Sequence, residues 1–314
     1  FHWLCATERD CSIFKGSGVD ILRMDFSVND ERGATFINNK EGIKIEMSTS
    51  FIEIIEAAIK NGAKPENIST CHNFYPERYT APSLEAINEI NNYWKAKNIP
   101  VAIFISSLVK GSHGPWPVSD GLPTIEEHRD MPIGEQLKHC LALDNVDEII
   151  IGNAYASEEE FKAIDQVMKQ VYVDVPKNEA FGFLADFIPH GMVKRVPFKI
   201  QLEEGITELE KEILFNYPTH SDLGDCMNYM LRSRWTRMIY KGKEIPCRPC
   251  TKTHYTRGDV VIVNDNLAHY RGEIQIVLKD MKVDGQRNLL GRIDESEIFI
   301  LEHIKAKDVF TFVE

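Results

Sequence analysis

Two acids stand at matching places in consecutive stretches of the chain. Asp25 closes Val19-Asp20-Ile21-Leu22-Arg23-Met24-Asp25, and Glu46 lies near the end of Ile43-Lys44-Ile45-Glu46-Met47-Ser48. Both stretches read as strands. Neighbouring strands run about 4.8 Å apart, so the two carboxyl groups are expected roughly 5–6 Å apart, near the spacing of a retaining glycosidase pair. Crowding raises one pKa, so one acid keeps a proton to donate while the other stays ionised. The plainer alternative is structural. Asp25 shares a strand face with Arg23 and would pair with it, and Glu46 would be hydrogen-bonded. Acids at strand ends are common, and the pair alone does not decide.

A second group follows in Cys71-His72-Asn73-Phe74-Tyr75-Pro76-Glu77-Arg78-Tyr79-Thr80. His72, Asn73, Tyr75, Arg78 and Tyr79 can hydrogen-bond to or stack on a polar ligand. Pro76 has no N–H and ends any ladder. Polar residues where a strand breaks into a loop suit a ligand site on an α/β scaffold; the plain alternative is a surface loop that caps its own backbone. A long loop over 111–129 carries Trp116, able to stack on a sugar face, and Thr124-x-x-Glu127 reads as a capping box placing His128 and Arg129 on a short helix. Gly152-Asn153-Ala154 follows another strand and supplies a third rim element. No H-x-x-x-H metal spacing, G-x-S-x-G, P-loop or G-x-G-x-x-G is present, so no metal or nucleotide cofactor is expected.

The elements that must position these groups alternate. Strands are expected near residues 20, 44, 70, 103 and 150, with helices over 51–60, 83–97 and 133–143 and another opening at Ser157. Residues 1–18 read as a helix or its remnant. Such alternation gives parallel strands joined by crossover helices, and apolar strands fit a sheet covered on both faces. After about residue 175 the character changes to short strands, at 259–264, 272–278, 299–301 and 309–313. The reading is an α/β domain over 1–178 followed by a small β-rich domain over 179–314.

Composition removes several function classes. A formal net charge of −12 over 314 residues argues against non-specific nucleic-acid binding. No run of about 18 apolar residues suggests a membrane span, and the opening Phe1-His2-Trp3 does not read as a signal peptide. Seven scattered cysteines, including the lone Cys247-Arg248-Pro249-Cys250, read as reduced thiols in a cytosolic setting.

Four long motifs then carry a resemblance: Cys71–Thr80, Gly114–Arg129, Ile150–Glu159 and Tyr270–Lys279. In this order they resemble the bacterial 6-phospho-N-acetylmuramidase family. The resemblance runs from about residue 14 to the end and is weakest over 176–215. It implies a TIM-like (β/α) barrel, here lacking its first three βα units, and a cyclophilin-like β domain. It also implies cytoplasmic hydrolysis, without a cofactor, of the β-1,4 bond of MurNAc-6-phosphate–GlcNAc, a disaccharide of peptidoglycan recycling. Asp25 and Glu46 then fall at barrel strand ends, with Glu46 the expected proton donor and Asp25 the nucleophile or stabiliser. Arg23, His72, Asn73, Tyr75, Arg78, Tyr79, Trp116, Arg129, Asn153 and Arg271 are the expected substrate-binding residues. Arg78, Arg129 and Arg271 are candidates for the phosphate, because a planar guanidinium grips its oxygens in pairs. Thr80-Ala81-Pro82-Ser83 departs from the family's usual Thr-Gly-Leu-Ser. The alternatives are another sugar-phosphate enzyme on the same barrel and a non-catalytic phosphosugar-binding protein.

Overall fold

A computed structural model describes residues 10–24, 29–49, 52–224 and 228–314. The chain divides into two compact units, Phe1–Phe161 and Lys162–Glu314.

The first unit is built from β1 (Ile21–Met24), α1 (Glu31–Ile37), β2 (Lys44–Ser48), α2 (Ile52–Lys60), β3 (Ile68–Cys71), α3 (Leu84–Lys95), β4 (Val101–Ile105), α4 (Ile133–Leu143) and β5 (Glu148–Ile151). The five strands form one parallel sheet in sequence order. Parallel neighbours need a crossover, and amphipathic helices supply it. In the ladder Arg23 pairs with Glu46, and Glu46 with Ser69. Period two then sorts the side chains. Arg23, Glu46, Ser69 and Cys71 share one face. Met24, Ile45, Met47 and Ile68 take the other, where they bury against Ile55 and Trp94 in one apolar cluster. One face of the sheet is therefore greasy and helix-covered, and the other carries polar groups.

Helix starts follow the capping rules. Asp30 accepts from Gly33 N at 2.7 Å and Ser83 from Ala86 N at 3.2 Å. Residues expected to be helical before residue 18 form only a 3-10 turn, Ser12–Phe14, and residues 1–9 lie outside the described part. The Thr124 capping box is also corrected. Glu126–His128 is a single 3-10 turn without a side-chain cap. Thr124 instead accepts from Phe104 N at 2.9 Å and donates to Asn73 O at 3.0 Å, stitching the long loop to two strand ends.

Helix α5 (Glu158–Val171) opens on a reciprocal cap: Ser157 Oγ accepts from Glu160 N at 3.1 Å, and Glu160 Oε2 accepts from Ser157 N at 2.9 Å. The second unit continues with β6 (Tyr172–Val175), β7 (Gly191–Lys194), β8 (Val196–Leu202), α6 (Glu208–Asn216), β9 (His220–Ser221), β10 (Met230–Ser233) and α7 (Trp235–Ile239). Then come β11 (His254–Tyr255), β12 (Asp259–Val263), β13 (Ile274–Val277), β14 (Met281–Lys282), β15 (Arg287–Ile293) and β16 (Val309–Val313). Seven strands make one mostly antiparallel sheet in the order β10-β13-β12-β15-β8-β16-β9. Its two edge strands meet through side chains. His220 Nε2 donates to Leu214 O at 3.0 Å, so Nδ1 is the acceptor for Ser233 Oγ at 2.9 Å. That bond ties β9 to β10 and nearly closes the sheet. The strand expected at 299–301 is instead part of a 3-10 segment, Glu295–Glu302. Three consecutive apolar residues do not distinguish a buried helical turn from a strand.

Candidate active site

The polar face of the parallel sheet gathers its chemistry at the C-terminal strand ends, where open and closed α/β sheets bind ligands. Glu46 is 6% exposed. Arg23 Nη1 donates to Glu46 Oε1 at 3.0 Å, and Arg23 Nη2 donates to Asn73 Oδ1 at 2.9 Å. The guanidinium lies 5.8 Å from the Phe104 ring centre, a cation–π contact. Phe74 meets Phe104 edge-on at 5.2 Å. The guanidinium thus fixes one carboxylate and one amide at once, with an aromatic floor beneath it. Cys71 is fully buried in the same group, and burial pushes its thiol up to about 12. At neutral pH it is an uncharged, unreactive filler beside the ion pair.

His72 takes the other face. It is 3% exposed, and its Nε2 lies 2.6 Å from Asn91 Oδ1 on α3. Asn91 in turn donates to Asn145 Oδ1 at 3.1 Å. Burial pulls the His72 pKa down, so the ring is a neutral member of a buried amide chain under the helix. One residue's shift along a strand reverses the face, and His72 is one residue out of step with Cys71.

The loops over 75–81 and 120–130 are held together by Arg129, only 2% exposed. Its Nε and Nη2 donate to Glu126 at 2.6 and 2.7 Å, its Nη1 to Tyr75 O at 3.0 Å and Asp120 O at 2.8 Å, and Nη2 again to Glu77 O at 3.2 Å. All five N–H groups are engaged, so Arg129 is a clamp for the rim and has no donor left for a phosphate. Glu126 also accepts from the N–H of Tyr79 at 2.7 Å. Arg78 forks onto Asp130 at 2.6 and 3.0 Å, with Asp120 at 3.8 Å. Asp130 is 77% exposed, so this pair is open to exchange. The Tyr79 and Trp116 side chains stand out in solvent, 82% and 61% exposed. Asn153 is buried and accepts from Ser107 N at 2.8 Å and Ser106 Oγ at 3.2 Å, fastening the end of β5 to the end of β4.

Residues 1–166 match the family described as 6-phospho-N-acetylmuramidase, N-terminal, and residues 196–313 match 6-phospho-N-acetylmuramidase, C-terminal. The chain belongs to the 6-phospho-N-acetylmuramidase family. Two solved structures are similar. One is an uncharacterized B. cereus protein, 35% identical with a TM-score of 0.80, covering 98% of this chain and 80% of that one. The other is a conserved Enterococcus faecalis protein of unknown function, 25% identical with a TM-score of 0.58, covering 93% and 71%. No curated protein is matched.

Set against the muramidase-family expectation, the structure joins Arg23, Glu46 and Asn73 by direct bonds, places Tyr75, Arg78 and Tyr79 on the clamped rim, and turns His72 away. Asp25 lies outside the described residues, and the carboxyl–carboxyl spacing with it. Arg271 belongs to the second unit, where it donates to Asp265 at 2.8 Å. Sequence reasoning passed over Phe104 and Glu126. Phe104 joins this face through the register of β4 on β3, which pairs Ala102 with Cys71, and Glu126 was findable by its i,i+3 relation to Arg129. Among the described residues no cluster of three His, Cys, Asp or Glu side chains is placed to hold a metal ion, and no helix is long and apolar enough to cross a membrane.

Proposed function

We propose that the chain carries the catalytic face of a cytoplasmic glycosidase acting on MurNAc-6-phosphate–GlcNAc in peptidoglycan recycling. The observation that carries this is the fixed Arg23–Glu46–Asn73 group at the strand ends of the N-terminal family match. In this reading the five parallel strands are the later part of a TIM-like barrel, and the second unit is cyclophilin-like. Glu46 Oε1 is occupied by Arg23, so Oε2 is the oxygen that hands on the proton. The proton passes to the bridging oxygen as the β-1,4 C–O bond breaks. Asp25 meets the charge developing on the sugar ring, and water supplies the new hydroxyl. Arg78 takes the 6-phosphate in exchange for Asp130, whose two carboxylate oxygens already stand where phosphate oxygens would.

A binding protein without turnover is the competing reading. It is favoured by one feature: the ladder neighbour of Glu46 is a guanidinium, not a second acid. Product analysis separates the two. GlcNAc release is measured from the phosphorylated disaccharide and from its unphosphorylated form, with this chain and with a form extended at its N-terminus. Cleavage confined to the phosphorylated substrate supports the glycosidase. Tight binding of the phosphosugar with no release by either form supports the binding protein.

A further inference from the structure

A side chain of the long loop joins the two groups that hold Arg23. Arg23 Nη2 donates to Asn73 Oδ1 at 2.9 Å, and the guanidinium lies 5.8 Å from the Phe104 ring centre. Asn73 follows the end of β3, and Phe104 lies in β4. The ladder between these strands is short. It pairs Thr70 with Val101 and Cys71 with Ala102, and His72 N still donates to Ala102 O at 2.9 Å. Two residues beyond Ala102, a continuing parallel ladder would set Phe104 N against a carbonyl of the β3 segment. Phe104 N instead donates to Thr124 Oγ1 at 2.9 Å. The same hydroxyl donates to Asn73 O at 3.0 Å. Its lone pair serves one strand and its proton the other.

Thr124 is wholly buried, and its backbone is pinned as well. Thr124 N donates to Phe104 O at 2.9 Å, and Tyr75 N donates to Pro123 O at 3.0 Å. The hydroxyl is therefore a fixed spacer wedged where the two strands part. A change in that spacer shifts Asn73 against Phe104, and Arg23 rests on both. Arg23 Nη1 in turn donates to Glu46 Oε1 at 3.0 Å. We infer that Thr124 is a positioning residue for the Arg23–Glu46 pair, holding the gap between Asn73 and Phe104 at the width of one hydroxyl. Its effect on catalysis rests on the glycosidase reading; its effect on Arg23 does not.

The test compares Thr124→Val, which keeps the shape and removes the hydroxyl, with Thr124→Ser, which keeps the hydroxyl. The first readout is the ¹⁵N NMR signal of the arginine side chains in the whole chain. The native chain and Thr124→Ser should show an Arg23 guanidinium in slow rotation about its Nε–Cζ bond. In Thr124→Val that rotation should be about fivefold faster or more, the loss of one hydrogen bond. The Arg129 guanidinium, clamped in the same rim, should keep its signal in all three. The second readout is kinetic. Thr124→Val should lower kcat for the phosphorylated disaccharide about tenfold to hundredfold, with KM within about twofold, and Thr124→Ser should restore it.

An Arg23 signal unmoved by Thr124→Val overturns the inference. So does loss of rigidity at Arg23 and Arg129 together, which would mark a general loosening of the loop. A Thr124→Ser chain that behaves like Thr124→Val overturns it too, as does undiminished kcat in Thr124→Val. If no form of the chain cleaves, the glycosidase reading fails by itself, and the Arg23 signal decides this inference.

Discussion

Arg129 and Arg78 show how two guanidiniums a few positions apart in one rim take opposite jobs. Arg129 is buried with all five donors used, so removing it takes the cation from Glu126 and a donor from the carbonyls of Tyr75, Glu77 and Asp120. Arg129→Met should destabilise the first unit by about 3 kcal/mol in urea titration. Its hydrogen bonds are also the main reason the Glu126 carboxyl is held down to about 2, below the ordinary 4.5. The folded value lies below the unfolded one. The stabilisation is therefore complete above about pH 4.5 and fades as pH falls towards 2. The difference in stability between the native chain and Glu126→Gln should shrink over that acid window. Arg78, facing solvent, should matter for binding alone. In the proposed reading, Arg78→Ala raises KM for the phosphorylated disaccharide about tenfold or more with little change in kcat. Glu46 was legible from sequence because an acid near a strand end stands out. Its partner was not, because the choice between Arg23 and Asp25 needs the register, which only the folded ladder supplies. The face that His72 takes was hidden for the same reason: it depends on a strand phase that a polar run does not reveal.

Secondary elements were more readable where a cap or a stop acts locally. Ser83 and Ser157 start helices as their side-chain chemistry requires. The Thr124 box failed because its hydroxyl found better partners on Phe104 and Asn73 than on its own turn. Loop docking is the feature least visible in sequence. A Cβ on Gly152 would stand 2.6 Å from the backbone oxygen of Leu122, so only glycine lets the long loop settle on the end of β5. Gly152→Ala should lift that loop and cost about 1–3 kcal/mol, read as a lower melting temperature and faster proteolysis within 107–131. In the second unit, burial holds His220 at about 4, below its ordinary 6.5. The unfolded chain takes up the proton first, so this bond between β9 and β10 loses its stabilising effect as pH falls from about 6.5 towards 4. His220→Gln should flatten that part of the stability profile in denaturant titrations at stepped pH.

At the scale of the molecule, the change from βα alternation to antiparallel strands was plain in the hydrophobic pattern, because crossover helices and period-two strands bury their apolar residues at different spacings. The near-closure of the second sheet was not, since it depends on β9, two residues long, meeting β10 through side chains. The central claim is that Glu46 acts on the substrate. The most direct measurement compares GlcNAc release from MurNAc-6-phosphate–GlcNAc by the native chain and by Glu46→Gln, in whichever form of the protein cleaves, with phosphosugar affinity measured alongside. The account predicts a fall in kcat of about 10²–10⁴-fold, the usual worth of a general acid, with affinity kept within a few fold. Undiminished cleavage by Glu46→Gln would contradict it.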